Sequence, residues 1–362
     1  MKVLHVINSL MHGGVEVLLS QMLPRMRQRG LDVAVVVLKH VDSPLEIELR
    51  TAGFQFLTSY GPDVYSPLHI SSLAKHISSF DVVHSYLFPA QLWAAAGARL
   101  AKKRVPLVTT EQSTHNRRRR RWVRPLDLWM YRNYKEIACN SEATARNLTR
   151  WVPEVTDRVS VIYNGVPVEC FQAAEAANKA KVLPTANGRP VIIFVARFDP
   201  AKDHPTLLRA MRRVPDAELV LVGDGDSRPT MQQLASDLGI GERVHFLGTR
   251  SDIPRLLKLA DLYVHASNFE GFGMAALEAM SAGLPVVASD VPGLSEVVDG
   301  AGMMVPPHDE EALAKTIRVI LESKQTRRRM ATASQKRATQ FSIDRTVESF
   351  INVYESVTRD GA

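Results

Sequence analysis

Asn268-Phe269-Glu270-Gly271-Phe272-Gly273-Met274-Ala275-Ala276-Leu277-Glu278-Ala279-Met280-Ser281-Ala282-Gly283 reads as the end of a strand, a glycine loop and a helix. Asp261 to Ala266 just before it is a short run of strand formers, and Met274 to Ala282 has helix-forming composition with Gly283 and Pro285 to stop it. Gly271 and Gly273 flank the helix start, so the backbone can approach a ligand and aim N–H groups, with the positive dipole end behind them, at an anion. A phosphate fits there. Glu278 lies one turn beyond Met274, and helical side chains lean toward the N-terminus, so its carboxylate reaches back toward the loop. Glu270 lies on the other side of the same anion site.

Two carboxylates bracketing an anion site suit a ligand with phosphates in its middle and hydroxyls at both ends. A nucleotide sugar is such a ligand; the competing reading is a buried Rossmann-type helix with two solvated glutamates. The spacing Glu270-x7-Glu278, set in the run from Glu270 to Ala288, resembles the signature of the family-4 retaining glycosyltransferases.

The rest of the chain is consistent with such a protein. Its 362 residues suggest two domains, and a hydrophobic content of 45% with 23% charged residues is that of a globular protein. Cys139 and Cys170 give no disulfide framework, which points to a reducing cytoplasm. Met1 to Asn8 reads as a first strand rather than a signal peptide, and no apolar run is long enough to span a bilayer. The expected place is therefore cytoplasmic, peripheral on the inner face of the cell membrane. Net charge is +7, and it is uneven: residues 1–168 carry +9 and residues 169–362 carry −2. That asymmetry implies an acidic partner for the first half.

Val3 to Asn8 runs into Gly13-Gly14-Val15-Glu16 and then a helical pattern, which opens a parallel α/β unit. This glycine pair lacks the third glycine of the dinucleotide fingerprint. Strands follow at Leu31–Leu38, Asp81–His84, Val105–Thr110, Glu136–Cys139 and Val159–Ile162, and the alternation with helices predicts a doubly wound sheet. Ligands bind beyond the carboxyl ends of such strands, where His84 and Gln112 fall, with His115 nearby. Arg117, Arg118, Arg119, Arg120 and Arg121 then run into Trp122 and Arg124, with Trp129 further on. Basic residues beside tryptophans read as a membrane-surface or acceptor patch; a solvated charge run and a nucleic-acid patch are the alternatives. Ala173 to Gly188 has little strand character and reads as a mobile linker or an excursion.

A second α/β unit begins at Pro190, with strands at Val191–Ala196, Leu219–Val222, Val244–Leu247 and Leu284–Ser289. Arg197 ends the first of them and Lys202 follows in a short loop; these two cations are suited to neutralising a diphosphate. Asp224-Gly225-Asp226 invites a metal reading, but directly after an apolar strand it is good turn chemistry, so no metal site is assigned. The last helix, from about Ser342 to Val357, has Val347, Phe350, Ile351 and Tyr354 on one face.

The resemblance covers nearly the whole chain and implies an α/β GT-B fold, two Rossmann-like doubly wound domains facing a cleft. Residues 1–168 would form the acceptor-binding domain, 169–341 the donor-binding domain, and 342–362 a helix crossing back. The implied activity is metal-independent retaining transfer of a hexosyl group from a nucleotide-diphosphate sugar, UDP-linked in the first instance, to a lipid-linked or saccharide acceptor. No cofactor is implied beyond that co-substrate, and an anionic membrane surface rather than nucleic acid is the expected partner. Carried onto this sequence, the donor contacts are Gly13, Gly14, Arg197, Lys202, Glu270, Gly271, Phe272, Gly273, Met274 and Glu278. Glu270, Arg197 and Lys202 serve the chemistry, and His84, Gln112 and His115 are candidate sugar or acceptor contacts. The family's Thr-Glu-His run has Gln112 in place of the histidine here. A sugar-nucleotide epimerase of the same fold is the alternative enzyme, and a basic nucleic-acid-binding protein the alternative class.

Overall fold

The computed structural model describes residues 1–11, 13–114, 116, 118–183 and 188–359. The chain forms two compact units, Val166–Ser342 and a first unit made of Met1–Gly165 together with Ile343–Ala362. The first contains strands β1 (Lys2–Ile7), β2 (Asp32–Val37), β3 (Gln55–Leu57), β4 (Val82–Tyr86), β5 (Leu107–Glu111), β6 (Glu136–Cys139) and β7 (Val159–Val161). The second contains β8 (Val191–Val195), β9 (Glu218–Val222), β10 (Val244–Phe246), β11 (Leu262–His265), β12 (Val286–Ser289) and β13 (Met303–Val305).

All strand pairs in both sheets are parallel, in the orders β3-β2-β1-β4-β5-β6-β7 and β10-β9-β8-β11-β12-β13. The expected doubly wound pair of sheets is present. Parallel strands covered by helices on both faces must be apolar on both, and β2 and β8 read as near-continuous valine and isoleucine runs for that reason. Each sheet reverses its winding beside its first strand, between β1 and β4 and between β8 and β11. Crevices form where the chains leaving two adjacent strands part to opposite faces.

The three-residue strands β3 and β13 have no counterpart among the strands expected from sequence. Within the segment read as a linker or excursion, the described residues are tied to the second unit. Its Ala177 N–H donates to the Arg255 carbonyl at 2.9 Å, Lys179–Val182 is a helical turn, and Leu183 is buried in the second unit's core. The final helix spans Ile343–Arg359 and packs on the helix Gly14–Gln28, with Val347, Phe350 and Tyr354 buried in the first unit's core. Among the described residues no helix is long and apolar enough to cross a membrane.

Candidate functional site

The second unit's switch point assembles the groups that the sequence placed far apart. β8 and β11 are neighbours, so the loops leaving them run side by side, and they are laced together by backbone bonds. The Asp203 N–H donates to the Ala266 carbonyl at 3.0 Å and the Asn268 N–H to the Ala201 carbonyl at 2.9 Å, with Lys202 and Ser267 bridged antiparallel. The Asn268 side chain closes the same seam by donating to the Pro200 carbonyl at 2.8 Å. Lys202 and Glu270, 68 residues apart, are thereby brought into an ion pair.

Three donors converge on one oxygen of Glu270. Lys202 Nζ is ion-paired with Oε1, His265 Nε2 lies 2.7 Å from it and the Ser267 hydroxyl donates to it at 3.2 Å. Burial pushes the Glu270 carboxyl up, but the Lys202 charge and the His265 bond outweigh it, and the net displacement is well below the usual carboxylate range. Burial lowers the His265 pKa despite the carboxylate beside it, so its imidazole is neutral at pH 7. A neutral ring facing an ionised carboxylate carries its proton on Nε2, which leaves Nδ1 to accept from the Tyr263 hydroxyl, 3.2 Å away. His265 and Ser267 were not singled out in the sequence. The available signal was their position at the carboxyl end of the strand that feeds the glycine loop.

The helix after the loop spans Met274–Ser281, and no side chain caps its start. Its N-cap residue, Gly273, has φ of +97°, a left-handed backbone that favours glycine, and a Cβ there would press on the tip of the Leu294 side chain, 2.6 Å from Cδ1. Gly293, φ +84°, is forced by close approach as well, since a Cβ would lie 2.5 Å from the Gly271 carbonyl oxygen. Met274 is half-buried at the first helical position. The Phe272 side chain does not belong with the donor contacts: it is buried in the core and meets Phe341 edge-on, with centroids 5.6 Å apart. An apolar ring between two glycines is the anchor that pins the loop to the domain.

Glu278, one turn inside the helix, is half-buried and has no hydrogen-bond or ion-pair partner among the described residues. Burial alone raises its carboxyl to about 7. One site thus contains two carboxylates with opposite environments, one ionised and clamped, the other near half-protonated at neutral pH. Arg197, by contrast, is 74% exposed and pairs with Asp199 at 3.0 Å. Asp224 accepts from the Gly225 N–H at 2.8 Å and pairs with Arg228 at 3.0 Å, as a turn residue does.

The first unit's candidates divide differently. Gly13 precedes the helix Gly14–Gln28, and its carbonyl accepts from the Val17 N–H at 3.0 Å. His84 is not a surface group: it is fully buried on β4, with Nε2 2.6 Å from the Thr110 hydroxyl and Nδ1 2.6 Å from the Tyr354 hydroxyl. Burial, reinforced by neighbouring His5, holds its pKa well below the usual value. It is a structural histidine that joins the sheet to the final helix. Gln112 is also committed, its Oε1 accepting from the side chains of Asn140 at 2.9 Å and Asn164 at 2.8 Å. His115 and Arg117 lie outside the described residues.

The arginine run is not one surface patch. Arg118 is ion-paired with Asp127, which is fully buried, and stacks its guanidinium 3.9 Å over Phe88. Arg119, 8% exposed, donates to Asn147 and lies 3.5 Å from Glu111. Arg124 pairs with Glu154 at 2.5 Å. Buried carboxylates require a paired cation, and Asp127 and Glu111 recruit two of the five arginines inward. Arg120, Arg121 and Trp122 remain at the surface, Trp122 being 75% exposed.

Residues 12–169 match the family model described as Glycosyltransferase Family 4, and residues 175–337 match the one described as Glycosyl transferases group 1. A lipopolysaccharide core biosynthesis glycosyltransferase of Rhizobium meliloti is 31% identical over 237 residues, 64% of this chain and 67% of that protein. A D-inositol 3-phosphate glycosyltransferase of Nocardia farcinica is 33% identical over 235 residues, 61% of this chain. The match spans about half (52%) of that relative's own length. In fold, the chain is similar to the crystal structure of Anabaena HepE in complex with UDP and glucose, with a TM-score of 0.85 and 24% identity over 98% of this chain and 99% of that one. The two parallel-sheet units are those of the GT-B architecture.

Proposed function

Since the chain belongs to glycosyltransferase family 4, we propose that it transfers a sugar from a nucleotide-diphosphate sugar, a UDP-sugar first among them, to a lipid-linked or saccharide acceptor in surface-glycan synthesis. The observation that carries this reading is the meeting of Lys202 and Glu270 at an uncapped helix start, with Glu278 one turn inside the helix. The UDP and glucose named for the HepE structure and the lipopolysaccharide role named for the Rhizobium relative support it.

The chemistry to be solved is a diphosphate that gains charge as its bond to the anomeric carbon breaks. Lys202 and the helix start supply fixed positive potential where that charge appears, and the exposed Arg197 adds its charge on turning from Asp199, so no metal ion is required in this reading. Glu270, clamped by three donors, accepts from sugar hydroxyls and orients the ring. Glu278 accepts from the ribose diol. In the retaining course we favour, the acceptor oxygen attacks on the face the diphosphate leaves, and the acceptor proton passes to the departing phosphate oxygen. Glu270 then forms no covalent bond. The second unit is the donor domain and the first the acceptor domain in this reading.

A thermal-shift screen with UDP-, GDP- and ADP-sugars tests the donor class, because a ligand bound only by the native state raises the melting temperature. A proton NMR spectrum of the first product gives the anomeric outcome. No shift with any nucleotide sugar would remove the reading.

A further inference from the structure

A groove of about 1300 Å³ lies in the first unit, at the opposite end of its strands from their carboxyl ends. Its walls are the segments that lead into β1, β2, β4, β5 and β6, together with the end of the final helix. Eight lysines and arginines line it, against two acids, Asp81 and Glu355. Both acids are already engaged, Asp81 with Lys103 at 3.9 Å and Glu355 with Arg359 at 3.0 Å. Lys102, Arg104 and Lys135 are exposed and have no ion-pair partner among the described residues.

Parallel α/β units end their helices at this edge, and a cation near each helix end answers the dipole. That does not account for three consecutive cations, Lys102 to Arg104, after the single helix Ala90–Leu100. The second unit gives the comparison within the same chain. The segments leading into β8, β9, β10, β11 and β13 carry Asp216, Glu242, Asp261 and Asp299 against Arg189, Arg213 and Arg243. The fold therefore has no need of a basic edge. Gathering like charges around a concavity costs self-repulsion, which a bound polyanion relieves.

We propose that this groove is a second anion site, taking a soluble ligand with several linked phosphates and distinct from the candidate donor site in the other unit. Its volume exceeds what one phosphate fills and is of the size that holds a nucleotide-sized molecule. Its concavity suits a compact polyphosphate better than a flat bilayer, and it leaves the exposed Arg120–Trp122 surface unused.

Tripolyphosphate is the probe, titrated calorimetrically into the full chain at fixed ionic strength with sulfate as the control anion. Wild type should bind it in preference to sulfate, and the triple variant K102S/R104S/K135S, which alters exposed residues only, should bind it about a hundredfold to a thousandfold more weakly, since each charge-assisted hydrogen bond is worth roughly tenfold and two or three are lost. Lys202→Met should leave this binding unchanged, which separates it from the donor site. Equal binding by wild type and the triple variant, or no preference over sulfate, overturns the proposal. So does a triple variant that loses binding to phosphatidylglycerol vesicles while its tripolyphosphate affinity stays intact, because the edge would then be a membrane surface.

Discussion

The Nε2 atom of His265 lies 2.7 Å from Oε1 of Glu270, and this bond joins the last residue of a buried strand to the clamped carboxylate of the loop that follows. Because the ring is neutral, it acts as an oriented donor that holds the carboxylate in place. His265→Phe removes that donor and should lower kcat by about 10- to 100-fold, a hydrogen bond to a charged group being worth roughly 1.5 to 3 kcal/mol, with a smaller change in KM for the donor. His265→Gln, which retains an N–H donor, should recover much of the loss. Equal rates for the phenylalanine variant and wild type would make the histidine a packing residue only.

Glu278 predicts a pH dependence. The diol of a nucleotide sugar donates hydrogen bonds, so it binds the ionised carboxylate, and the free protein must first lose a proton whose pKa is about 7. Affinity for a nucleotide-diphosphate sugar, which has no phosphate titrating in this range, should therefore rise about tenfold from pH 6 to pH 8. Glu278→Gln should flatten the profile at weaker affinity. Isothermal titration at the two pH values decides it, and a flat wild-type profile would take Glu278 out of the diol contact.

The same residue sets a stability term of opposite sense. Its folded-state pKa is raised above the unfolded value, so the native state holds the proton more tightly and stability falls as pH climbs from 4.5 to about 7. Above that window Glu278→Gln should be more stable than wild type by at most about 3 kcal/mol. Urea unfolding at pH 8 without ligand measures it; at pH 4 the two proteins should agree more closely.

Transfer should persist in excess EDTA, since the charge on the leaving diphosphate is assigned to Lys202, Arg197 and the helix start. Activity that vanished and returned with Mg²⁺ or Mn²⁺ would bring Asp224 and Asp226 back as ligands.

The arginines should separate into two classes. Arg118→Ser leaves the fully buried Asp127 with the Trp151 N–H but no cation and should cost about 3 to 5 kcal/mol of stability. Replacing Arg120, Arg121 and Trp122 together by serine should leave stability nearly unchanged and reduce flotation with vesicles of anionic lipid. Flotation unaffected by the triple change would assign these three to solvent alone.

The sequence by itself determined the architecture, because strand and helix periodicities are local and the alternation of the two admits few folds. It also determined the glycine loop and helix of the site within a residue, since Gly273, Met274 and Gly283 act on their own backbone. Tertiary structure alone decided partnership. Lys202 meets Glu270 because the sheet order puts β8 beside β11, a relation that no window along the chain contains. The same holds for Arg118 and Arg119, indistinguishable in sequence from Arg120 and Arg121 until buried Asp127 and Glu111 draw them inward, and for His84, turned into the core by the register of β4. Burial and charge pairing depend on what lies across space, and that information is written in distant residues.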